Sequence, residues 1–289
     1  MKRQLFILTL ALLTANLTAQ TLQHSTHPFE TLQLTSQQRP IPFPFLRFED
    51  IVWSTDLWKT IEVSELFNQF FYYPEDYPNP HGKKGIAHIL WDAVANDVIP
   101  IYEDDELLIP IDNQRFIERY TRADTIILEL GYDDDDNELF ETRITPKVFD
   151  AAAIRWYSLK ETWFIGRQDT RQDSRRIALA PLEDAYRTFG NTGEEIYLGR
   201  IPLFWIPMQN PRVRTILATH PAFIDPNNIV HQPSWDWVFL NQYYHAYITR
   251  ESNRHNRPIL NYLTGEDALV ESELIEEKVF DIENSMWEY

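Results

Sequence analysis

Residues 154–164 read Ile-Arg-Trp-Tyr-Ser-Leu-Lys-Glu-Thr-Trp-Phe. Aromatic and β-branched side chains of this kind suit a pleated, half-buried surface. Two stretches of similar character follow at residues 176–180 and 196–206, and Gly190-Asn191-Thr192-Gly193 supplies a turn between them. The middle of the chain therefore reads as a set of short strands. On its N-terminal side, residues 125–130 and 139–144 predict a hairpin whose loop, 133–137, is acidic. Residues 107–111 also read as a strand.

Helices are expected on both flanks. Ile86, Ile89, Leu90, Ala93, Val94 and Val98 recur on one face of a helix ended by Pro100. Earlier, the apolar pairs Ile51-Val52 and Leu57-Trp58, followed by Ile61, stand at helical separation and predict another helix. After Pro211, residues 212–218, 235–250, 258–262 and 266–287 favour helix, the last with Leu269, Leu274, Ile275, Val279, Ile282 and Met286 on one apolar stripe. Asp50-Ile51-Val52-Trp53 with Trp58 also echoes Asp236-Trp237-Val238-Phe239 with Tyr244, as a duplicated helical element would. The fold class is α+β, with mixed short β-strands in the middle of the chain flanked by helices and an extended Pro-rich N-terminal arm.

That arm spans residues 20–48 and ends Pro40-Ile41-Pro42-Phe43-Pro44-Phe45-Leu46-Arg47-Phe48. Prolines at alternate positions exclude a helix and favour an extended path. Phe43, Phe45 and Phe48 are the candidate partner-binding residues, available for docking onto a neighbouring subunit. The other reading folds the arm back onto its own domain. Before it, Lys2 and Arg3 precede an apolar run over residues 5–13, and Leu17-Thr18-Ala19 offers a small residue at a cleavage position. This pattern is that of a secretory signal peptide over residues 1–19, cut before Gln20. A membrane-spanning helix needs roughly 20 apolar residues, about twice this run, so direct membrane insertion is not expected. Residues 49–289 form the remaining α+β domain.

The formal charge is −18, and removing Lys2 and Arg3 leaves 24 basic against 44 acidic residues, a net −20. Nucleic acid is a poor ligand for such a chain, because phosphate backbones bind through clustered Lys and Arg. Basic partners are steered toward it instead. The chain has no cysteine, which excludes a lipid-bearing thiol, disulfides and thiolate metal ligands. Aromatic residues make up 14%, an enrichment that serves a core first and stable protein interfaces second.

The residues carry little catalytic signal. G-x-S-x-G, H-E-x-x-H and a glycine-rich phosphate loop are all missing, so no catalytic, cofactor-binding or metal-binding residue is assigned and no cofactor is expected. The run Asp133-Asp134-Asp135-Asp136-Asn137-Glu138 imitates the start of a calcium loop. It then departs from the pattern, with Glu138 at the glycine position and Ile144 at the bidentate glutamate position. A solvated hairpin tip is the plainer reading. Residues 102–106 and 271–277 read as solvated acidic faces, and Arg175 or Arg176 as members of structural or interfacial ion pairs. Two other functional classes remain open on the residues alone: a periplasmic hydrolase with an acidic pair, and a calcium-dependent binding module.

Four ordered blocks carry a resemblance. The first is Asp50-Ile51-Val52-Trp53 with Trp58 and Ile61, then Phe71-Tyr72-Tyr73-Pro74, residues 86–99 and Tyr102-Glu103-Asp104-Asp105-Glu106. The second is Lys160-Glu161-Thr162-Trp163-Phe164 with Arg176-Ile177-Ala178-Leu179-Ala180-Pro181, and the third is Pro202-Leu203-Phe204-Trp205-Ile206 continuing through Arg212-Val213-Arg214. The fourth holds Glu251-Ser252-Asn253, Asn261-Tyr262, Thr264-Gly265, Asp267-Ala268-Leu269 and Trp287-Glu288. In number, order and spacing these resemble the GldN/PorN family of type IX secretion and gliding motility in Bacteroidetes, over about residues 49–289. The resemblance implies a structural, non-enzymatic subunit of a periplasmic ring complex that couples inner-membrane energy to protein secretion. It implies self-association in a ring, a GldK/PorK-like lipoprotein partner that supplies the outer-membrane anchor, and a GldM/PorM-like motor protein whose periplasmic domain it meets. Residues 20–48 lie outside the resemblance.

Overall fold

The computed structural model describes residues 39–72, 84–122, 124–132, 138–145, 147–167, 172–189, 194–224, 232–255 and 257–287. In chain order the strands are β1 (Ile51–Glu62), β2 (Ile101–Tyr102), β3 (Pro110–Ile111), β4 (Asp124–Tyr132), β5 (Glu138–Thr145), β6 (Trp156–Gly166), β7 (Gln172–Phe189), β8 (Glu194–Pro202), β9 (Ile206–Pro207) and β10 (Tyr247–Glu251). The helices are α1 (Ile86–Ala95), α2 (Asn113–Tyr120), α3 (Pro211–Thr219), α4 (Trp235–Leu240) and α5 (Glu266–Trp287). Mixed helices and antiparallel sheet make this the expected α+β class.

The stretch 154–164 supplies β6, at the centre of a six-stranded sheet ordered β10-β1-β6-β7-β8, with β9 also on β7. Every pairing is antiparallel. The expected hairpin is present as β4 and β5, which form a separate two-stranded sheet. Its loop at 133–137 and the turn at 190–193 lie outside the described residues, although Phe189 pairs with Glu194 on either side of the latter.

Residues 51–62 correct the sequence reading: they form a strand paired with β6 along its whole length, not a helix. Ile51, Val52, Thr55, Thr60 and Ile61 are β-branched, which favours strand. Leu57 to Ile61 are buried without a break, since the inner strand is covered on both faces and loses the alternation that would announce it. Residues 235–250 are also corrected. The helix stops at Leu240, Gln242 takes a left-handed φ of 52°, and the chain returns as β10. The two halves of the Asp50/Asp236 echo thus fall on a strand and on a helix, which removes the duplicated element.

Two smaller corrections have the same origin in local turn chemistry. α1 ends at Ala95, where Asp97 adopts φ 54° and the Val98 N–H bonds back to the Ala93 carbonyl, leaving Val98 exposed. Of residues 107–111 only Pro110 and Ile111 pair, because Leu107 has φ 59° and the Asp104 carboxylate accepts from the Leu108 and Ile109 N–H groups, curling the segment into a loop.

The main core lies where α1, α3 and α4 cover one face of the sheet. Ile61, Tyr157, Leu159 and Leu179 from the strands meet Ile86 and Leu90, Val213 and Leu217, and Trp235 and Phe239. A second cluster places α5 against β10 through Leu57, Ile248, Ile259 and Ile275. The expected stripe on α5 is only partly right. Ile275 and Val279 are buried, but Leu269 and Leu274 face solvent. Between them, Ser272 turns inward and its Oγ accepts the Ile248 N–H at 2.8 Å, which closes the outer edge of β10. Among the described residues, no helix is long and apolar enough to cross a membrane.

Candidate functional site

Strand register first brings charge into the sheet. Glu161 on β6 stands opposite Arg176 on β7, and Lys59 on β1 reaches the same carboxylate. Glu161 is fully buried, with Lys59 Nζ 3.5 Å and Arg176 Nε 3.4 Å away. Trp163 Nε1 donates to it at 2.8 Å and Tyr244 Oη at 2.7 Å. Burial pushes the Glu161 carboxyl up, but Lys59 and Arg176, joined by the two donors, outweigh it and hold the pKa below the ordinary carboxylate value. Burial and the adjacent carboxylate push the Tyr244 phenol well up, so it remains a donor. A carboxylate kept ionised between two cations has no proton to give, which is the reverse of what a general acid requires. Arg176 therefore takes the structural ion pair expected of it.

The same end of the sheet meets the helices. Asn210 caps α3 by accepting the Arg212 N–H, with Pro211 at the first helical position, and Ser234 caps α4 by accepting the Trp237 N–H. These caps set Arg214 on α3 beside Asp236 on α4. Arg214 Nε and Nη2 each lie 3.0 Å from an Asp236 oxygen, a bidentate pair. Both partners also hold the arm. Asp236 Oδ2 accepts the Ile41 N–H at 2.9 Å, and Arg214 Nη2 donates to the Ile41 carbonyl. One step on, the Phe43 ring meets two guanidiniums, that of Arg214 at 4.0 Å and that of Arg175 at 4.5 Å. Arg175 also donates to the Pro44 carbonyl.

The three candidate residues are thereby separated. Phe43 is half-buried and folded back on its own body, whereas Phe45 is 86% and Phe48 90% exposed. The described part of the arm is clipped to the body at Ile41 and Phe43, and two phenylalanines beyond the clip stand clear of the body.

On the opposite face, the acidic run 102–106 is not merely a solvated face. Trp58 Nε1 donates to Asp105 Oδ2 at 2.5 Å, and Asp105 pairs with Arg250, whose guanidinium lies 3.5 Å from the centre of the Trp58 ring. Lys160 lies over the same ring at 4.9 Å and pairs with Glu106 at 2.7 Å. Beside them is an open cleft of ≈ 370 Å³ whose lining includes Trp58, Glu103, Asp104, Trp205 and Arg250. The Ile109 N–H and neighbouring backbone donors hold the Asp104 carboxyl below its ordinary pKa.

Among the described residues no group of three or more His, Asp or Glu could hold a metal ion. Residues 133–137 of the calcium candidate lie outside the described residues, and Glu138 opens β5. Sequence reasoning missed Lys59, Arg214, Asp236 and Asp105 as members of these clusters. For Lys59 and Asp236 the available signal was a charged residue set among large apolar neighbours, since a charge at a buried position is normally paired. Arg214 and Asp105 carried no such signal.

A family model described as "Gliding motility associated protein GldN" matches residues 46–288. No curated protein matches the chain.

Proposed function

Because the chain belongs to the GldN family of gliding-motility-associated proteins, we propose that it is a structural, non-enzymatic subunit of a periplasmic ring in the type IX secretion and gliding machinery. The observation that carries this reading is the family match across residues 46–288. In the proposal, residues 1–19 are a signal peptide, residues 20–48 an arm and residues 49–289 the body. A GldK/PorK-like lipoprotein ties the subunit to the inner face of the outer membrane, and a GldM/PorM-like periplasmic domain meets it from the inner membrane. Phe45 and Phe48, with Phe43 as their anchor on the body, are the proposed contact of the arm with a neighbour. Exposed aromatic residues on a tethered segment fit that role, because buried aromatic anchors dominate stable interfaces.

The test is co-expression of the full chain with the GldK-like lipoprotein of the same organism, read by size exclusion and negative-stain microscopy. A large annular complex is expected. Separate elution of the two proteins as monomers at every salt concentration would sink the scaffold reading.

A further inference from the structure

The two edges of the main sheet are treated differently. The outer edge of β10 is closed by α5, through the Ser272 hydroxyl on the Ile248 N–H and through Ile275 packed beside Ile248. The outer edge of β8 has no strand beside it among the described residues. Exposed apolar side chains gather there: Ile196, Tyr197, Leu198 and Ile201 on β8, and Tyr186 next to them on β7. An open edge with this composition is a template for another strand. Because α5 occupies β10, joining β8 of one copy to β10 of another would first have to displace that helix.

The same chain holds a second unfinished sheet. β4 and β5 pair only with each other among the described residues, and a lone two-stranded hairpin is marginal in water. β4 carries Ile126-Ile127-Leu128 in succession, with Leu130 beyond. An unbroken apolar run is the pattern of an inner strand, flanked and covered on both sides. β4 and β8 are also the same length, nine residues each.

We propose that the open edge of β8 receives strand β4 of a second copy, so that the sheet of one subunit continues into the hairpin of the next, head to tail. Pairing of β8 with β8 would be isologous and end at a dimer, leaving the hairpin unfinished. Pairing of β8 with β4 is heterologous and leaves one free edge at each end of any open chain, which closes a ring when the rotation allows. This inference deepens the ring reading above and rests on it.

The absence of cysteine from the chain gives a clean test. Leu198→Cys and Leu128→Cys are introduced singly and together in the full chain, co-expressed with its proposed lipoprotein partner. Ile196, Tyr197, Ile126 and Ile127 are substituted in the same way to cover the register. The doubly substituted chain should give a ladder of disulfide-linked multimers that collapses on reduction, and each single variant should stay monomeric on the gel. A mixture of the two single variants should stop at dimers. Dimers from Leu198→Cys alone would overturn the proposal in favour of β8 pairing with itself. Multimers by light scattering with no cross-link at any register would overturn this interface and leave the ring reading standing. Monomers throughout would remove both.

Discussion

Arg214 and Asp236 hold each other through two hydrogen bonds of 3.0 Å and together hold both polar backbone groups of Ile41. The pair joins two helices to each other and joins the arm to both. Its side chains are almost fully shielded, at 11% and 6% exposure, so removing one partner strands a charge.

Asp236→Ala should therefore destabilise the body by about 3 kcal/mol, the usual consequence of breaking a buried pair. It should also free the arm. Chemical denaturation reads the first effect, and hydrogen exchange at the Ile41 amide with limited proteolysis across residues 39–48 reads the second. An arm that stays protected in Asp236→Ala would mean that Phe43 and the arginine bonds to the Ile41 and Pro44 carbonyls suffice to hold it.

Glu161→Leu should cost about 3–5 kcal/mol, because Lys59 and Arg176 are left buried without their counter-ion. Glu161→Gln adds a pH signature. The folded-state pKa of Glu161 is depressed, so its ionised form stabilises the fold above the unfolded carboxylate pKa, and that contribution is lost as pH falls through the folded value. At neutral pH the Gln variant should be the less stable of the two proteins, and the gap should narrow on acidification. Urea midpoints measured across the acid range would show it; a constant gap would contradict the depressed pKa.

Phe45→Ser and Phe48→Ser should leave the melting temperature almost unchanged, as both rings stand in solvent, while weakening capture of the partner. Phe43→Ser should lower stability by about 1 kcal/mol through loss of its two cation–π contacts. Thermal melts and pull-downs on the same three variants separate the roles. A large melting shift for Phe48→Ser would place that ring in the core.

Ser272→Ala should cost about 1–3 kcal/mol by leaving the Ile248 N–H without its acceptor. Faster hydrogen exchange at Ile248, with exchange in β6 unchanged, is the accompanying sign.

The strands of the middle and the 125–144 hairpin were legible because their aromatic and β-branched residues act locally, and α5 because it is long and periodic. β1 was not legible: burial on both faces erased its alternation, and its apolar pairs then imitated a helix. The C-terminal half of 235–250 was misread because a single left-handed residue, Gln242, ends the helix where composition gives no warning. The charged clusters depend on residues remote in sequence. Lys59 and Glu161 are brought together only by β1–β6 pairing, and Ile41 meets Asp236 only through the tertiary fold. The exposed phenylalanines could be picked out by type, but the clip that fixes one and frees two could not.

The arm enters the body at the first residues of β1, and β1 is held by β6 along its length and by β10 over its second half. Ladder bonds of antiparallel strands run perpendicular to the strand axis. Tension drawn through the arm in line with β1 would first open the Ile41 clip and then bear on the ladder in shear, many bonds at once. The subunit is thus wired as a weak link in series with a strong one: slack is released at the clip before the load reaches the sheet.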